Sequence, residues 1–216
     1  MKIDIDRTQD GRMTISSTPN QYDGYPSPSR FHLECSIKNL SPDRAAVASA
    51  LLFGRWVGSS LEFDDPISPL VAASIANYLP LSTITSSPID LEPRAIPGGS
   101  RRLALGFRES RSVVHYPPDY AAGVSTLLSE SSAEISGSIL SMHSSIVGSN
   151  AIAFAPDLDA ISLGLHPHLA VAVLLSEDLG IGSIFIPSNG DKFDESTARA
   201  ANLLSAVRLG LFGSYA

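Results

Sequence analysis

The chain has 216 residues, of which 44% are hydrophobic and 17% charged, so it has enough apolar material for a substantial core and is not a disordered chain. Its formal net charge of −7 argues against general nucleic-acid binding, which requires a basic surface. The single cysteine, Cys35, excludes an internal disulfide framework and a cysteine-based zinc site.

The same features bear on where the chain works. Its longest relevant apolar run, Leu169–Leu175, is far too short to span a bilayer, so we expect no membrane contact. The first residues contain no apolar signal core, and a single cysteine is unusual for an exported protein. The sequence therefore predicts a cytoplasmic location.

The first third of the chain begins with a polar segment, residues 1–30, for which we expect an early short or edge strand followed by loop. Strict alternation then predicts a half-buried strand over residues 31–37. Ser41 and Pro42 open a helix that ends at Gly54. A strand over residues 57–63 follows, and Ser68 starts a second helix that Pro80 stops.

The middle third, residues 81–150, differs in character. Proline and glycine cluster in residues 81–100, which predicts extended chain and loop. Arg101–Phe107 and Ser112–Tyr116 are typical of a hairpin. Asp119 is positioned to cap a short helix, and residues 131–150 alternate apolar residues with serine, which favours one or two strands.

The last third, from residue 152 to 210, predicts strand, helix, strand, helix. Pro167 suits a first helical position, and Gly180 and Gly182 break that helix. Ser183–Ile186 is short and apolar, so we expect a buried strand at the heart of the sheet between two helical layers. Asp194 caps a final helix that is expected to end at Gly210.

These elements predict an α/β fold, with α+β as the alternative. We expect a mixed, partly parallel sheet with helices on its faces and a hairpin-rich central insert. Residues 31–216 would form a single domain, with two similar βαβα halves at 31–80 and 151–210 around the insert 81–150. Chance similarity between ordinary α/β pieces explains the likeness of the halves equally well.

One set of residues has the chemistry of a metal site. Two carboxylates, Asp157 and Asp159, are followed closely by two imidazoles, His166 and His168. Such donors suit a divalent metal, and loops that follow a strand commonly face the ligand crevice in open α/β sheets. Because His-x-His at a helix start points its rings in different directions, a structural role for both histidines is the competing interpretation.

Two further sets have the chemistry of an anion site. The loop Ser188–Asn189–Gly190 lies between a predicted strand and a helix, where backbone N–H groups can face an anion, although Asn-Gly is also an ordinary turn former. Arg94, Arg101 and Arg102 belong to an arginine-rich stretch, and arginine suits a bidentate grip on carboxylate or phosphate. Alternation along a strand points Arg101 and Arg102 to opposite faces, and a solvated strand face is the competing interpretation.

The candidates for catalysis are acidic or imidazole side chains near these anion sites. Asp64 shares a strand face with Glu62, and such a pair can act as a general base or simply form a turn. His115 and Asp157 are the other two residues to which we assign chemistry. The sequence contains no nucleophile elbow and no phosphate-binding or dinucleotide motif, and it names no cofactor.

The leading hypothesis is a cytoplasmic enzyme that binds an anionic metabolite, with the reaction type open. Arg94, Arg101 and Arg102 would bind the anion, and Asp64, His115 or Asp157 would border the reacting centre. The alternative is a non-catalytic, enzyme-like subunit that pairs with itself or with a partner protein. Convergence of the arginines with His115 or an acid in one concave pocket would favour the enzyme.

Overall fold

The computed structural model describes residues 1–7, 11–79, 85–92, 95–106, 124–131, 137–140, 144–155, 161–186 and 195–213. The strands are β1 (Lys2–Arg7), β2 (Met13–Thr18), β3 (Arg30–Leu33), β4 (Ser60–Ile67), β5 (Thr85–Ile89), β6 (Arg101–Gly106), β7 (Val124–Ser131), β8 (Ser138–Leu140), β9 (Ser144–Ser149), β10 (Ile181–Ile186) and β11 (Gly210–Gly213). The helices are α1 (Pro42–Phe53), α2 (Pro69–Tyr78), α3 (Ile161–Leu175) and α4 (Glu195–Ser205), with short 3₁₀ turns at Gly54–Trp56 and Ala151–Phe154.

The strands form one mixed sheet. Its order is β11-β10-β6-β7-β9-β3-β2-β1-β4-β5, and β8 pairs with β9 off this path. Strands β11, β10, β6, β7 and β9 pair in parallel, as do β1, β4 and β5. The pairs β1–β2, β2–β3, β3–β9 and β8–β9 are antiparallel. The predicted α/β fold with a mixed, partly parallel sheet is confirmed.

The two halves of this sheet share their connectivity. Counted outward from the β3–β9 junction, the first half runs β3-β2-β1-β4-β5 and the second runs β9-β7-β6-β10-β11. Along the chain, the first half has three strands before its first helix and the second half has four, since β8 is an addition; a helix, a strand, a helix and an edge strand then follow in each half. The equivalent pairs are β1 and β6, β2 and β7, β3 and β9, α1 and α3, β4 and β10, α2 and α4, and β5 and β11.

Two strands depart from the match, and the first is β8, which has no counterpart in the first half. β2 is antiparallel to both of its neighbours, whereas β7 is parallel to both of its own. The later equivalences that the sequence predicts, between the two helices and the strand of each half, are present in the topology, but the first strand predicted for the second half is the 3₁₀ turn Ala151–Phe154, and β9 takes its place. The matching unit is larger than predicted, because it includes further strands before each first helix. The predicted single domain, residues 31–216, stays a prediction.

A pair of helices, α1 and α3, forms the centre of the core. The two pack closely against each other, and α3 is buried without interruption from Leu169 to Leu175. A helix that is apolar all round has to be covered on every side. Here α1 and strands β6 and β7 contact α3. Helices α2 and α4 pack against each other, and they also contact edge strands β5 and β11 respectively.

Local signals place α1 and α2 where the sequence predicts them. Ser41 Oγ accepts a hydrogen bond from Arg44 N at 3.4 Å, and Ser68 Oγ accepts one from Val71 N at 3.4 Å. Pro42 and Pro69 occupy the first helical positions, where a missing N–H is no loss. The predictions of both helix starts are confirmed.

The start predicted for α3 is wrong. The helix begins at Ile161, so Pro167 lies inside it instead of at its first position. An internal proline removes one backbone hydrogen bond, but the apolar residues on both sides bury the helix strongly enough to keep it continuous. The strand expected just before it is instead the 3₁₀ turn Ala151–Phe154.

Other elements differ from the prediction because their pairing partners in the sheet, and not the local sequence pattern, determine their structure. β7 is a strand where the sequence predicts a helix after Asp119, since β6 and β9 pair with it on both sides. β1 and β2 lie inside the sheet, not at its edge. Helix α4 ends at Ser205, and Gly210 begins β11 after a turn in which Arg208 has φ 58°. The predicted hairpin of Arg101–Phe107 with Ser112–Tyr116 is wrong, since β6 pairs in parallel with β7 and β10 on its two sides; Ser112–Tyr116 lies outside the described residues. The antiparallel pair in the insert is instead β8 with β9.

β10 is a strand, as predicted, but it lies next to the sheet edge, between β6 and β11. Ile184 is fully buried, while Ser183 and Phe185 on the other face are only half-buried. One helical layer therefore covers this strand, instead of the two that were expected. None of the helices in the described part of the chain is both long and apolar enough to cross a bilayer.

Candidate functional site

The residues that the sequence nominates for function do not all fall within the described structure. Outside it lie Arg94, His115, Asp157, Asp159, Ser188, Asn189 and Gly190. Within it lie Asp64, Arg101, Arg102, His166 and His168. The roles assigned to the first group stay predictions.

Asp64 lies on the exposed face of β4, and its carboxylate is 3.3 Å from the ammonium of Lys2, which also pairs with Asp4 at 2.7 Å. All three side chains are largely exposed. Exposed pairs of this kind contribute about 0–1 kcal/mol of stability. The surroundings of Asp64 resemble an ordinary charged sheet surface, and its predicted catalytic role stays untested.

The two adjacent arginines of β6 have different surroundings. Arg101 is half-buried, and its Nη1 donates a 3.0 Å hydrogen bond to the carbonyl of Leu179, which ties β6 to the turn after α3. Arg102 is exposed and is in register with Ser183 of β10. The structure thus gives Arg101 a structural contact, and the anion-binding role of both residues stays a prediction.

The two histidines of α3 are also separated in their environments. Burial lowers the pKa of His168 to about 4, so its imidazole is neutral at physiological pH. His166 faces α2 and α4, where it forms two hydrogen bonds. Among the residues that the structure describes, no group of three or more His, Cys, Asp or Glu is arranged to hold a metal ion.

His166 is the middle of a hydrogen-bonded chain of three side chains. Its Nδ1 is 2.8 Å from the hydroxyl of Tyr78, and its Nε2 is 3.2 Å from Ser196 Oγ. Tyr78 is the last residue of α2, and Ser196 is in the first turn of α4. Three helices therefore bring together residues that lie far apart in the sequence.

Burial determines the protonation state of Tyr78, one of these three side chains. Burial raises the pKa of the Tyr78 phenol well above its ordinary value, and the positive charge of Arg199 opposes that rise only weakly. The phenol therefore stays protonated at physiological pH. A neutral imidazole has one donor and one acceptor nitrogen, so it can accept from Ser196 through Nε2 while Nδ1–H donates to the Tyr78 oxygen, or it can adopt the opposite arrangement.

A groove of about 300 Å³ lies between α2 and α4, beside the hydrogen-bonded side chains of Tyr78, His166 and Ser196. The residues that line it all carry a polar group: Ser74, Asn77, Tyr78, Arg199, Asn202 and Ser205. The Arg199 side chain is exposed, and within the described part of the chain no carboxylate pairs with it. The groove therefore offers one cation, two amides and several hydroxyls to a ligand.

A second, smaller cavity of about 40 Å³ is also lined by Tyr78 and His166. Leu51, Leu52, Arg55, Phe154 and Pro167 complete its lining. Its size suits roughly one water molecule, whose share of liquid volume is about 30 Å³. Tyr78 lines both spaces.

The sequence predictions miss most of this site. The sequence does not single out Tyr78, Ser196, Arg199 or Asn202, and it suggests either metal binding or a structural role for His166. The contact between Tyr78 and His166 spans 88 residues of sequence. No local pattern encodes such a contact, although the polar face of α4 is a signal that could have drawn attention to Arg199 and Asn202.

The sequence matches no protein-family model, and neither curated proteins nor solved structures show a significant similarity to it. Any function therefore has to be inferred from the geometry of the site.

Proposed function

We propose that the protein binds an anionic small molecule in the groove between α2 and α4 and acts on it there as an enzyme. The observation that carries the proposal is the exposed guanidinium of Arg199 in a groove of polar residues. This groove borders the three hydrogen-bonded side chains Tyr78, His166 and Ser196. Arginine is the side chain best suited to a bidentate grip on a carboxylate or phosphate.

The size and lining of the groove support a small ligand. Its volume of about 300 Å³ is at the lower end of the range for ligand pockets, which is roughly 300–1,000 Å³. Asn77 and Asn202, on facing helices, supply both donors and acceptors that can orient a bound molecule. A metabolite with one anionic group and a few polar groups matches this inventory.

The proposal changes the residues assigned to the anion but keeps the class of ligand that the sequence predicts. Arg199 takes the role expected of Arg94, Arg101 and Arg102. The predicted loop Ser188–Gly190 precedes α4 in the chain and stays a candidate for ligand contact. A cytoplasmic location is part of the proposal, because the single cysteine leaves no internal disulfide that would suit an oxidising compartment.

The test is ligand-induced thermal stabilisation, because a ligand that binds only the native state raises the melting temperature. A panel of carboxylates, phosphate esters and inorganic phosphate is screened against the wild type, Arg199→Ala and Arg30→Ala. Arg30 is an exposed arginine of β3 that does not line the groove, so it is a control of matched charge. We expect at least one anion to stabilise the wild type and Arg30→Ala by several degrees and to leave Arg199→Ala unchanged. Equal stabilisation of all three proteins, or none by any anion, would overturn the proposal.

A second candidate function is protein interaction as a homodimer or as a subunit of a complex. Exposed apolar side chains near edge strand β5 favour it: Leu70 is 61%, Ile89 38% and Leu91 84% exposed. Exposed apolar residues at a sheet edge commonly mark an interface. If sedimentation shows a dimer that Leu91→Ser dissociates, this candidate gains; a monomer at high concentration argues against self-association.

A further inference from the structure

We propose that Ser196 is a nucleophile for acyl transfer, that His166 is its general base, and that Tyr78 is a positioning residue for the imidazole. The substrate class is a carboxylic ester that carries a second, anionic group. The inference rests on the proposed function in one respect, since it assumes that Arg199 holds that anionic group in the groove.

The geometry of the three side chains carries the proposal. Ser196 Oγ is 3.2 Å from His166 Nε2, at the long end of the range for a nucleophile and its base in a protein without substrate. The hydroxyl of Tyr78, 2.8 Å from Nδ1, holds the other side of the ring. A base that a third group orients is the arrangement that activates a serine hydroxyl.

Access distinguishes this arrangement from a purely structural one. His166 is 7% exposed, so its ring is protected from bulk water. Ser196 is half-buried; it does not line the groove itself, but it belongs to α4, which supplies Arg199, Asn202 and Ser205 to the lining. Arg199 follows Ser196 by about one helical turn, which places the two side chains on neighbouring parts of the same helix surface. An anionic group held by Arg199 therefore positions the rest of a small substrate beside Ser196.

The first turn of α4 contributes to the same chemistry. The first four N–H groups of a helix have no partner within the helix and favour negative charge. A nucleophile in this turn brings the carbonyl that it attacks close to those donors. They can stabilise the oxyanion of a tetrahedral intermediate in the way that backbone N–H groups do in other acyl-transfer sites.

The reaction balances with water as the only co-substrate. As Ser196 Oγ forms a bond to the acyl carbon, its proton passes to Nε2 of His166. The tetrahedral intermediate collapses, the bond from carbon to the leaving oxygen breaks, and that oxygen takes the proton from Nε2. Water then attacks the acyl-serine and gives a proton to Nε2, which returns it to Ser196 Oγ as the carboxylic acid leaves. The net change is ester plus water to acid plus alcohol.

The neutral phenol of Tyr78 limits the rate of acylation. Tyr78 is a neutral phenol, and burial keeps it so. A phenol orients the ring and fixes its tautomer, but it lacks the negative charge with which a carboxylate stabilises the imidazolium. We therefore expect slow acylation compared with sites in which a carboxylate is the third group.

The test is covalent labelling of the full-length protein with a neutral fluorophosphonate, read by intact mass and peptide mapping. We expect one adduct, on Ser196. Ser196→Ala should abolish it, and Ser36→Ala, which removes an exposed hydroxyl that does not line the groove, should leave it unchanged. His166→Gln should slow labelling by about 100-fold or more, the usual contribution of a general base. Circular dichroism verifies that each variant is folded. If His166→Gln is unfolded, His166→Asn takes its place.

A spectroscopic measurement tests the role of Tyr78. The ¹⁵N shifts of the His166 ring should indicate a proton on Nδ1 in the wild type and a mixture of tautomers in Tyr78→Phe. Slower labelling of Tyr78→Phe without a change in melting temperature would support the role. Unchanged tautomers with unchanged labelling would show that the phenol does not position the ring.

The results separate this inference from the proposed function. Anion-dependent stabilisation without any fluorophosphonate adduct on Ser196 would overturn the inference and leave the binding site standing. An adduct on Ser196 without stabilisation by any anion would support the nucleophile and overturn the anion site. An adduct that survives in His166→Gln at the wild-type rate would also overturn the inference.

Discussion

At the scale of single residues, two opposite charges are fully buried against each other. The α-ammonium of Met1 is 2.7 Å from the Asp23 carboxylate, and both are 0% exposed. The backbone N–H groups of Asn20 and Gly58 also donate to this carboxylate, at 2.9 Å each. Burial alone raises the pKa of Asp23, but the hydrogen bonds from the ammonium and the two N–H groups outweigh it and hold the pKa below its ordinary value.

Asp23→Asn should destabilise the protein by about 3–5 kcal/mol, because it leaves a buried ammonium without its counter-ion. Because the pKa of Asp23 is lowered in the folded state, the stability that its charge provides is present above the unfolded pKa of 3.8 and is lost as the pH falls through the folded value. Urea unfolding measures both effects. Asp64→Asn is the matched control, since its pair with Lys2 is exposed and should cost under about 1 kcal/mol. Equal costs for the two variants would contradict the prediction.

At the scale of elements, a close backbone approach fixes where the chain enters β6. Gly98 and Gly99 are adjacent in this segment, and the sequence predicts both simply as loop. A Cβ on Gly99 would overlap the backbone carbon and oxygen of Ile181 in β10, whereas a Cβ on Gly98 would have nothing within 4 Å. Only the second glycine is required by packing.

Gly99→Ala should therefore destabilise the protein by about 1–3 kcal/mol, the usual cost of an overpacked position. Gly98→Ala should change the free energy of unfolding by about 0.5 kcal/mol or less, or raise it slightly by restricting the unfolded chain. Chemical denaturation of the two variants side by side measures the difference. A similar loss in both would mean that the segment does not lie against β10.

The elements also show what sequence patterns can predict. Ser41-Pro42 and Ser68-Pro69 act within a few residues, and the helices begin where these pairs predict. Pro167 fits the same pattern but lies inside α3, because burial of the surrounding apolar residues outweighs the cost of one proline. The position of β10 beside the edge depends on its partners β6 and β11, which no local pattern encodes.

The candidate site was still harder to predict. Its hydrogen bonds join residues of three helices, and its polar groups are common ones without a motif. His166 forms a recognisable pattern with His168, whereas nothing in the sequence distinguishes Ser196 and Tyr78 from other serines and tyrosines. These side chains come together only because α4 packs against α2 and α3, while Tyr78 of α2 is hydrogen-bonded to His166 of α3.

At the scale of the whole molecule, one aromatic cluster joins the two halves. Phe154 of the second half contacts Phe31, Phe53 and Trp56 of the first, with ring centroids 6.0, 5.3 and 6.3 Å away. Asn150 joins the sheet at the same place, since its side chain accepts from His32 N and donates to the Arg30 carbonyl. The halves therefore share one core, and we expect them to unfold together.

Phe154→Ala should cost about 3–5 kcal/mol, the usual loss for a large buried aromatic side chain. Trp56 is the only tryptophan, so its fluorescence reports on this cluster while circular dichroism reports on the whole chain. The two signals should change at the same denaturant concentration in the wild type. Phe212→Ala, at a position 54% exposed, is the control and should cost about 0.5 kcal/mol. Two separate transitions in the wild type would show that the halves unfold independently.

The matched order of strands and helices has a consequence for how such a chain can arise. An ancestral polypeptide of half this length, associated as a two-fold homodimer through the surfaces now buried between α1 and α3 and between β3 and β9, would have the same layout apart from the direction of one strand, β2 or β7, and the addition of β8. Its α2–α4 groove would lie on the symmetry axis, with identical side chains facing each other. Joining the copies by gene fusion removes that constraint, so one wall can keep a tyrosine while the other acquires a serine and an arginine.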